Sequence, residues 1–261
     1  MSALRVLRRA ASTATARVVA EPSGLAVIGV FYIMVTAVLA TLWTTATRAN
    51  GASIVGYSAT ALVWYVATSE AATVSLPMRL IEDIGDDIGS ERIVVEMLRP
   101  ASVLSLRVAG ELGKMMPRLA VCIGIGVTFA TIFAGPPPNA GALALAAPAL
   151  VVAIAINLIA QHAFAAAAFW VRDAKGTWFL YQKLVFVLGG MLLPLEVLPG
   201  RLESIAKLLP FMAMAYAPAR LASGHAEPGL LAVQAFWLVV VWLVTVHLFA
   251  AGERRLLGAV S

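Results

Sequence analysis

Charged residues and cysteine are scarce in this sequence of 261 residues. Only 13% of the residues are charged, about half the share that is usual for soluble domains, whereas 61% are hydrophobic. The mean hydropathy is +0.90. The single cysteine, Cys122, excludes a disulfide framework and a multi-cysteine metal site. A chain with so little charge cannot cover itself with a polar surface, so the composition excludes a soluble enzyme and predicts an integral membrane protein.

Long apolar runs are what the sequence has in excess. A helix needs about 20 apolar residues to cross a hydrocarbon core that is about 30 Å thick. The runs of about that length are 24–43, 54–76, 117–134, 142–170, 177–198 and 229–250. They are continuously apolar and do not alternate with polar residues, which favours helices over barrel strands. The sequence therefore predicts a single all-α membrane domain over residues 1–261 with six transmembrane helices.

The basic residues between these runs predict the orientation. If the N-terminus is cytoplasmic, 14 lysines and arginines fall on the cytoplasmic side and four on the other side. Such an excess is typical of cytoplasmic loops, so both termini are expected in the cytoplasm. Residues 1–22 carry four arginines opposite an apolar stripe, which predicts an amphipathic helix in the inner membrane interface. A mitochondrial-type transit peptide is the alternative for this segment.

Motifs for catalysis or nucleotide binding do not emerge from the sequence. Residues 110–115, GELGKM, partly match a phosphate-binding loop, but the first glycine is misplaced and no serine or threonine follows the lysine. The three histidines, His162, His225 and His247, are far apart and form no metal-ligand pair. We therefore expect no ATP binding by this chain, no cofactor and no enzyme active site. The net charge of +5 suits basic loops that face anionic lipid, and we expect no nucleic acid partner.

The connection between the second and third runs, residues 79–116, is long and charged. It holds seven of the 14 acidic residues, interleaved with basic residues and with apolar residues at near-helical spacing. A solvated face is one interpretation. The other is a docking surface for a soluble partner, in which an apolar stripe supplies contact area and the charges select the partner. The residues predicted for that surface are Glu82, Asp86, Asp87, Ile88, Glu91, Arg92, Glu96, Leu98 and Arg99.

Two stretches of the sequence contain motifs in a recognisable order. Residues 86–100, DDIGSERIVVEMLRP, begin with acidic residues, pass through a glycine-containing turn and end in Leu-Arg-Pro. They are followed by AFW at 168–170, GG at 189–190, PLEVLP at 194–199 and LPF at 209–211. In this order the motifs resemble those of the type-2 ABC transporter permease family, over most of the chain from Arg79 onward. The triplet SER at 90–92 departs from the pattern, because similar proteins often carry Arg-Ser-Gly there.

The resemblance implies a fold and a mechanism. Such permeases have an interface helix, six spans, a cytoplasmic coupling helix between spans two and three, and a re-entrant segment, here 194–225, before the last span. Two permease subunits, identical or different, pair with two ATP-binding-cassette subunits that hydrolyse the ATP. We therefore expect the permease subunit of an ATP-driven exporter in a bacterial-type cytoplasmic (inner) membrane. The largely uncharged spans favour an apolar or amphiphilic substrate.

Three other functions stay open at the level of the sequence. A secondary transporter or channel subunit would need no ATPase, but would need stronger charges in the middle of the membrane. A membrane enzyme would need a cluster of polar catalytic residues. A scaffold permease would pair with a different permease that selects the substrate.

Several polar residues fall inside the predicted spans. Glu70 in the second span and Lys183 in the fifth are expected at similar depths, which predicts an ion pair between them. The alternatives are a lysine that extends to the headgroups and a second span that ends before Glu70. Asn157 and Gln161 lie four residues apart on one face of the fourth span, which favours hydrogen bonding between helices over contact with substrate. Tyr57 is predicted to be an interfacial anchor on the outer side.

Overall fold

The computed structural model describes residues 3–98, 101–171 and 174–260, and these ranges are mostly helical. They contain eleven α-helices and one antiparallel two-stranded hairpin. The helices are α1 (Ala3–Ala20), α2 (Pro22–Ala49), α3 (Ala59–Val74), α4 (Leu80–Gly89), α5 (Arg92–Met97), α6 (Val103–Ala134), α7 (Ala140–Ala165), α8 (Ala174–Leu188), α9 (Gly200–Lys207), α10 (Tyr216–Ala222) and α11 (Gly229–Val260). The hairpin consists of β1 (Ser53–Ile54) and β2 (Tyr57–Ser58). The predicted all-α class is confirmed.

Four helical segments of the described chain are long and apolar enough to cross a membrane. They are Pro22–Ala49, Val103–Ala134, Ala140–Phe169 and Gly229–Gly258. Each overlaps one of the predicted runs, namely the first, third, fourth and sixth. The predicted membrane class is therefore supported by the helices as well as by the composition.

The other two predicted runs form shorter helices. Residues 54–58 of the second run lie in the hairpin, so α3 has only 16 residues. In the fifth run, α8 has 15 residues and ends at Leu188, because Gly189 and Gly190 follow and Gly190 adopts a φ of 67°. At 1.5 Å per residue, both helices are shorter than the hydrocarbon core. Helix length supports four of the six predicted spans and leaves two as predictions.

Although helix α3 is short, other parts of the protein surround it. Nearly every residue from Ala61 to Val74 is buried. The hydroxyl of Ser69 donates a hydrogen bond to the carbonyl of Met191 (2.8 Å), and the hydroxyl of Tyr65 donates to the carbonyl of Gly190. Irregular backbone at membrane depth is tolerated where protein satisfies its polar groups. These bonds do so for the turn that follows α8.

The predicted charged connection 79–116 contains α4, α5 and the first half of α6. Helix α6 begins at Val103, where the side chain of Ser102 accepts a hydrogen bond from the backbone N–H of Ser105 (3.2 Å). It then continues through Pro117 to Ala134 without interruption. The third long helix therefore starts well before the predicted span, and its first turns carry charged residues.

The predicted interface segment 1–22 forms α1, which packs lengthwise against α6. The hydroxyl of Thr15 donates a hydrogen bond to the carbonyl of Gly113 (2.8 Å). The two helices approach closely because Gly113 has no side chain; a Cβ there would overlap the carbonyl of Ala11. Helix α1 is therefore attached to the bundle as well as amphipathic.

The predicted re-entrant segment 194–225 is a series of short helices separated by prolines. A 3₁₀ turn (Leu195–Val197), α9, a second 3₁₀ turn (Pro210–Ala213) and α10 follow one another. Most residues from 211 to 222 are buried, and the side chain of Gln234 in α11 donates a hydrogen bond to the carbonyl of Ala213 (2.9 Å). The segment is packed into the bundle, and its re-entry into a membrane stays a prediction.

Candidate functional site on the α4–α5 surface

Helix α4 is amphipathic, and its apolar side faces the protein. Ile81, Ile84 and Ile88 recur at helical spacing and are all buried, packed towards α7 and α8. Glu82 and Asp83 lie in the first turn, where carboxylates interact favourably with the helix dipole. The apolar stripe that was assigned to partner contact is thus part of the subunit's own core. Ile88, which is 4% exposed, does not lie on an open surface as predicted, because the isoleucine side of α4 turns inward.

A tight turn joins α4 to α5 and puts Glu91 at an exposed position. The side chain of Ser90 donates a hydrogen bond to the carbonyl of Asp86 (2.6 Å), one turn earlier in α4. Glu91 adopts a φ of 58°, in the left-handed region that few residues other than glycine occupy. The reversal ends α4 and lets α5 run back towards α6.

Arg107 of α6 holds α4 and α5 in place. Its Nε donates a hydrogen bond to the carboxylate of Glu96 and its Nη2 to that of Asp87, each at 2.7 Å. The arginine side chain is only 15% exposed. Charge-assisted hydrogen bonds are stronger than neutral ones, and here one cation joins two helices to a third. Two predicted docking residues, Asp87 and Glu96, are therefore engaged within the subunit.

The outward side of α4 and α5 is acidic and apolar. The side chains of Asp86 and Glu91 are exposed, and within the described residues neither forms an ion pair. Val95 is 67% exposed and Leu98 is 83% exposed. We call these four residues the docking face. Unpaired carboxylates beside apolar side chains suit a partner surface that is basic and apolar in turn.

The remaining residues predicted for docking differ in position. Glu82 pairs with the exposed Arg79 at 3.3 Å. Arg92 is exposed and lies 3.1 Å from the carboxylate of Asp87. Ion pairs as exposed as these contribute little to stability, so both side chains stay available to a partner. Arg99 lies outside the described residues.

Asn157 and Gln161 form a buried cluster with Tyr181, which sequence analysis did not single out. The Nε2 of Gln161 donates a hydrogen bond to Oδ1 of Asn157 (3.1 Å), and the hydroxyl of Tyr181 donates to the same oxygen (2.5 Å). Because Tyr181 belongs to α8, the cluster joins α7 to α8, and the predicted hydrogen bonding between helices is confirmed. The signal in the sequence was a tyrosine within an apolar run, since its buried hydroxyl needs a partner.

The predicted ion pair between Glu70 and Lys183 is wrong. Glu70 is 2% exposed, and one of its carboxyl oxygens has no hydrogen-bond partner among the described residues. Lys183 is exposed, and its ammonium lies 5.0 Å from the centre of the Phe179 ring. The two side chains point to different surroundings, and the alternative of a lysine that extends outward fits the structure. Helix α3 continues beyond Glu70 to Val74, and where the second span ends relative to Glu70 stays a prediction.

A second polar cluster lies beside the hairpin, at the N-terminal end of α3, whereas Glu70 lies near its C-terminal end. Glu196 accepts hydrogen bonds from Arg220 (2.8 Å), Lys207 (3.3 Å) and the hydroxyl of Tyr216. Arg220 also donates to the hydroxyl of Tyr57 and to the carboxylate of Glu227, each at 2.6 Å. The Glu196 network consists of Tyr57, Glu196, Lys207, Tyr216, Arg220 and Glu227. It ties the hairpin, the segment after α8, α9 and α10 together.

The Glu196 network was missed by sequence analysis, and it corrects one prediction. Tyr57 is 1% exposed, so it is a network residue and not an anchor in the lipid interface. The hydrogen bonds from Arg220 hold the pKa of Glu227 below its usual value. The available signal was a lone acid at 196 and a lone arginine at 220, each within an apolar segment, where an unpaired charge is costly.

The comparisons with known proteins bear on the whole bundle. No curated protein matches the chain. A family model described as ABC-2 family transporter protein matches residues 27–259, a range that includes both the docking face and the Glu196 network. Because this range is most of the sequence, the chain belongs to the ABC-2 family of transporter proteins, the type-2 ABC transporter permeases.

Proposed function

We propose that this protein is the membrane-spanning permease subunit of an ATP-driven exporter and that separate ATP-binding subunits bind its docking face. The observation that carries the proposal is the construction of the α4–α5 unit. It is fastened to α6 by Arg107, yet it leaves the carboxylates of Asp86 and Glu91 unpaired within the described chain. An element that is held firmly by its own subunit, but whose exposed carboxylates have no partner there, suits a contact through which force is transmitted.

The packing of the unit suggests how movement of a partner reaches the long helices. The buried side of α4 packs towards α7 and α8. Helices α4 and α5 are joined to α6 through the hydrogen bonds of Arg107. Closure of ATP-binding subunits against the docking face would therefore act on three helices at once. We propose that this rocks the bundle and opens a route between two permease copies.

The arrangement in the membrane is part of the proposal. Helices α3 and α8, with the hairpin and the turn that flank them, complete six spans, because protein contacts compensate for their shortness. The distribution of lysine and arginine supports cytoplasmic termini in a bacterial-type inner membrane. An apolar cavity of about 190 Å³ lined by residues of α2, α3, α6 and α7 suits an apolar or amphiphilic substrate.

Charge reversal on the docking face tests the proposal. Asp86→Lys and Glu91→Lys, alone and together, should weaken co-purification of the permease with its cognate ATP-binding subunit. Like charges brought together at an interface cost several kcal/mol, so we expect the double variant to lose the partner almost completely. Because both side chains are exposed, the variants should insert and fold normally.

The matched control is Arg201→Glu, which reverses an exposed charge on α9, beside the Glu196 network and at the other end of α3 from the docking face. Its co-purification should equal that of the wild type. If the double variant retained both the partner and transport-coupled ATP hydrolysis, the α4–α5 surface would be a solvated face and the proposal would fail.

A further inference from the structure

A groove lies between α1 and the first half of α6, beside the contact of Thr15 with Gly113. Its volume is about 850 Å³. The lining combines four cationic side chains, those of Arg9, Arg17, Lys114 and Arg118, with apolar residues such as Val6 and Val18. The family resemblance and the proposed ATPase contact leave this groove without a role.

The cationic side chains of the groove have few acidic partners. One carboxylate, that of Glu21, lines the same space. Within the described residues, Arg9, Arg17 and Arg118 form no ion pair, and Lys114 pairs only with a neighbouring glutamate. The Nε of Arg118 is buried and has no hydrogen-bond partner among the residues that the structure describes. Because an unsatisfied buried donor is costly, the groove suits an anion with several acceptor oxygens.

The groove is placed where the two helices beside it become apolar. Arg118 is the last charged residue of α6, and residues 119–134 carry no charge. Helix α1 ends at Ala20, and the apolar helix α2 begins at Pro22. Basic side chains at such a boundary meet the phosphate groups of lipids.

An apolar groove continues along α2 and α6 from this point. It has a volume of about 400 Å³ and is lined by Leu25, Gly29, Ile33, Val121 and Ile125, among others. Val121 lies three residues after Arg118, and Leu25 lies four residues after Glu21, so each step stays on one face of its helix. A basic groove followed by an apolar one matches an amphiphile, whereas a free anion would use only the first part.

We propose that the groove between α1 and α6 binds the phosphodiester headgroup of an anionic phospholipid, with one acyl chain lying along α2 and α6. Arg118 donates hydrogen bonds to the phosphate oxygens from the α6 side, and Arg9 and Arg17 supply positive charge from α1. The lipid bridges the two helices and strengthens their attachment. This site is separate from the docking face and does not depend on the proposed ATP-binding partner.

The test is lipid binding to the purified full-length chain in detergent, measured by native mass spectrometry. Dioleoylphosphatidylglycerol should bind saturably and at least about tenfold more tightly than dioleoylphosphatidylcholine. The double variant Arg9→Gln/Arg17→Gln should lower the affinity for phosphatidylglycerol at least about tenfold, and Arg118→Gln should do the same. The matched control, Arg5→Gln/Arg8→Gln, removes equal charge from exposed positions of α1 outside the groove and should lower it less than about threefold.

Three results would overturn the inference. Equal losses in the two double variants would mean that α1 attracts anionic lipid only diffusely. Equal binding of the two lipids by the wild type would remove the role of charge. Glycerophosphoglycerol, which has the headgroup without acyl chains, would have to bind far more weakly than the lipid, and equal affinity would reject the apolar half. If Arg118→Gln failed to fold, the variants of α1 would still decide, because Arg9 and Arg17 are exposed.

Discussion

The two ends of α3 use charged side chains in different ways. Beside the hairpin, the carboxylate of Glu196 is satisfied by Arg220, Lys207 and Tyr216, and the network closes on itself. Beside α4, the ion pairs of Arg107 fasten the helices, but the carboxylates of Asp86 and Glu91 are left exposed and without an ion pair in the described chain. Charges that are saturated internally fix a segment, whereas charges that are left over can recognise a partner. One end of α3 is therefore fixed by charges that pair within the subunit, and the other is the end that we propose for partner contact.

The largest effect is expected from breaking the Glu196 network. Arg220→Met removes the cation that joins Glu196, Glu227 and Tyr57, and it leaves Glu196 poorly compensated. Because the side chains of Arg220 and Glu196 are only 17% and 15% exposed, we expect a loss of about 2–3 kcal/mol in the free energy of unfolding. Thermal unfolding in detergent would measure it.

Two further variants make this test specific. Glu196→Gln added to Arg220→Met should recover part of the loss, because the uncompensated carboxylate is then removed. Arg201→Met, on the exposed side of α9 at the same end of the molecule, should leave the unfolding temperature unchanged. A similar loss in Arg201→Met, or none in Arg220→Met, would show that the network does not fix this end.

A smaller effect is expected at the α4–α5 end. Arg107→Met should cost about 1–2 kcal/mol, because its partners Asp87 and Glu96 are partly exposed and remain hydrated. The loss should be local, with faster hydrogen exchange in α5 and weaker coupling of ATP hydrolysis to transport, although the docking face is unchanged. Arg92→Met, on a side chain that is 68% exposed, should cost less than about 0.5 kcal/mol. Unchanged exchange in α5 after Arg107→Met would show that Arg107 does not hold the unit.

The predictable parts of the fold are those in which apolar residues form a continuous run or recur with a helical period. The four long apolar helices follow from hydropathy, and α1 and α4 follow from the helical period of their apolar residues. The lengths of α3 and α8 could not be predicted, because hydropathy alone does not show where within an apolar run the helical backbone ends. In these places the hairpin and Gly190, with its positive φ, decide the ends.

The candidate site was predictable as a region but not residue by residue. The acidic composition of 79–116 allowed a docking surface as one of two interpretations, but it did not show that Ile88 turns inward or that Arg107 engages Asp87 and Glu96. Such pairings depend on how α4, α5 and α6 are packed. The Glu196 network could not be predicted even as a region, because Tyr57 and Arg220 are 163 positions apart in the chain.

The most direct measurement of the central claim is site-specific cross-linking to the ATP-binding subunit. Cys122 is buried and can be replaced by alanine, so that a photoreactive benzophenone can be attached at one chosen position. With Glu91→Cys in that background, illumination should give a covalent product that contains the ATP-binding subunit. Arg201→Cys, at the end of the molecule beside the Glu196 network, should give none. A product of equal yield from both positions, or none from position 91, would contradict the assignment of the α4–α5 surface as the contact with the ATP-binding subunit.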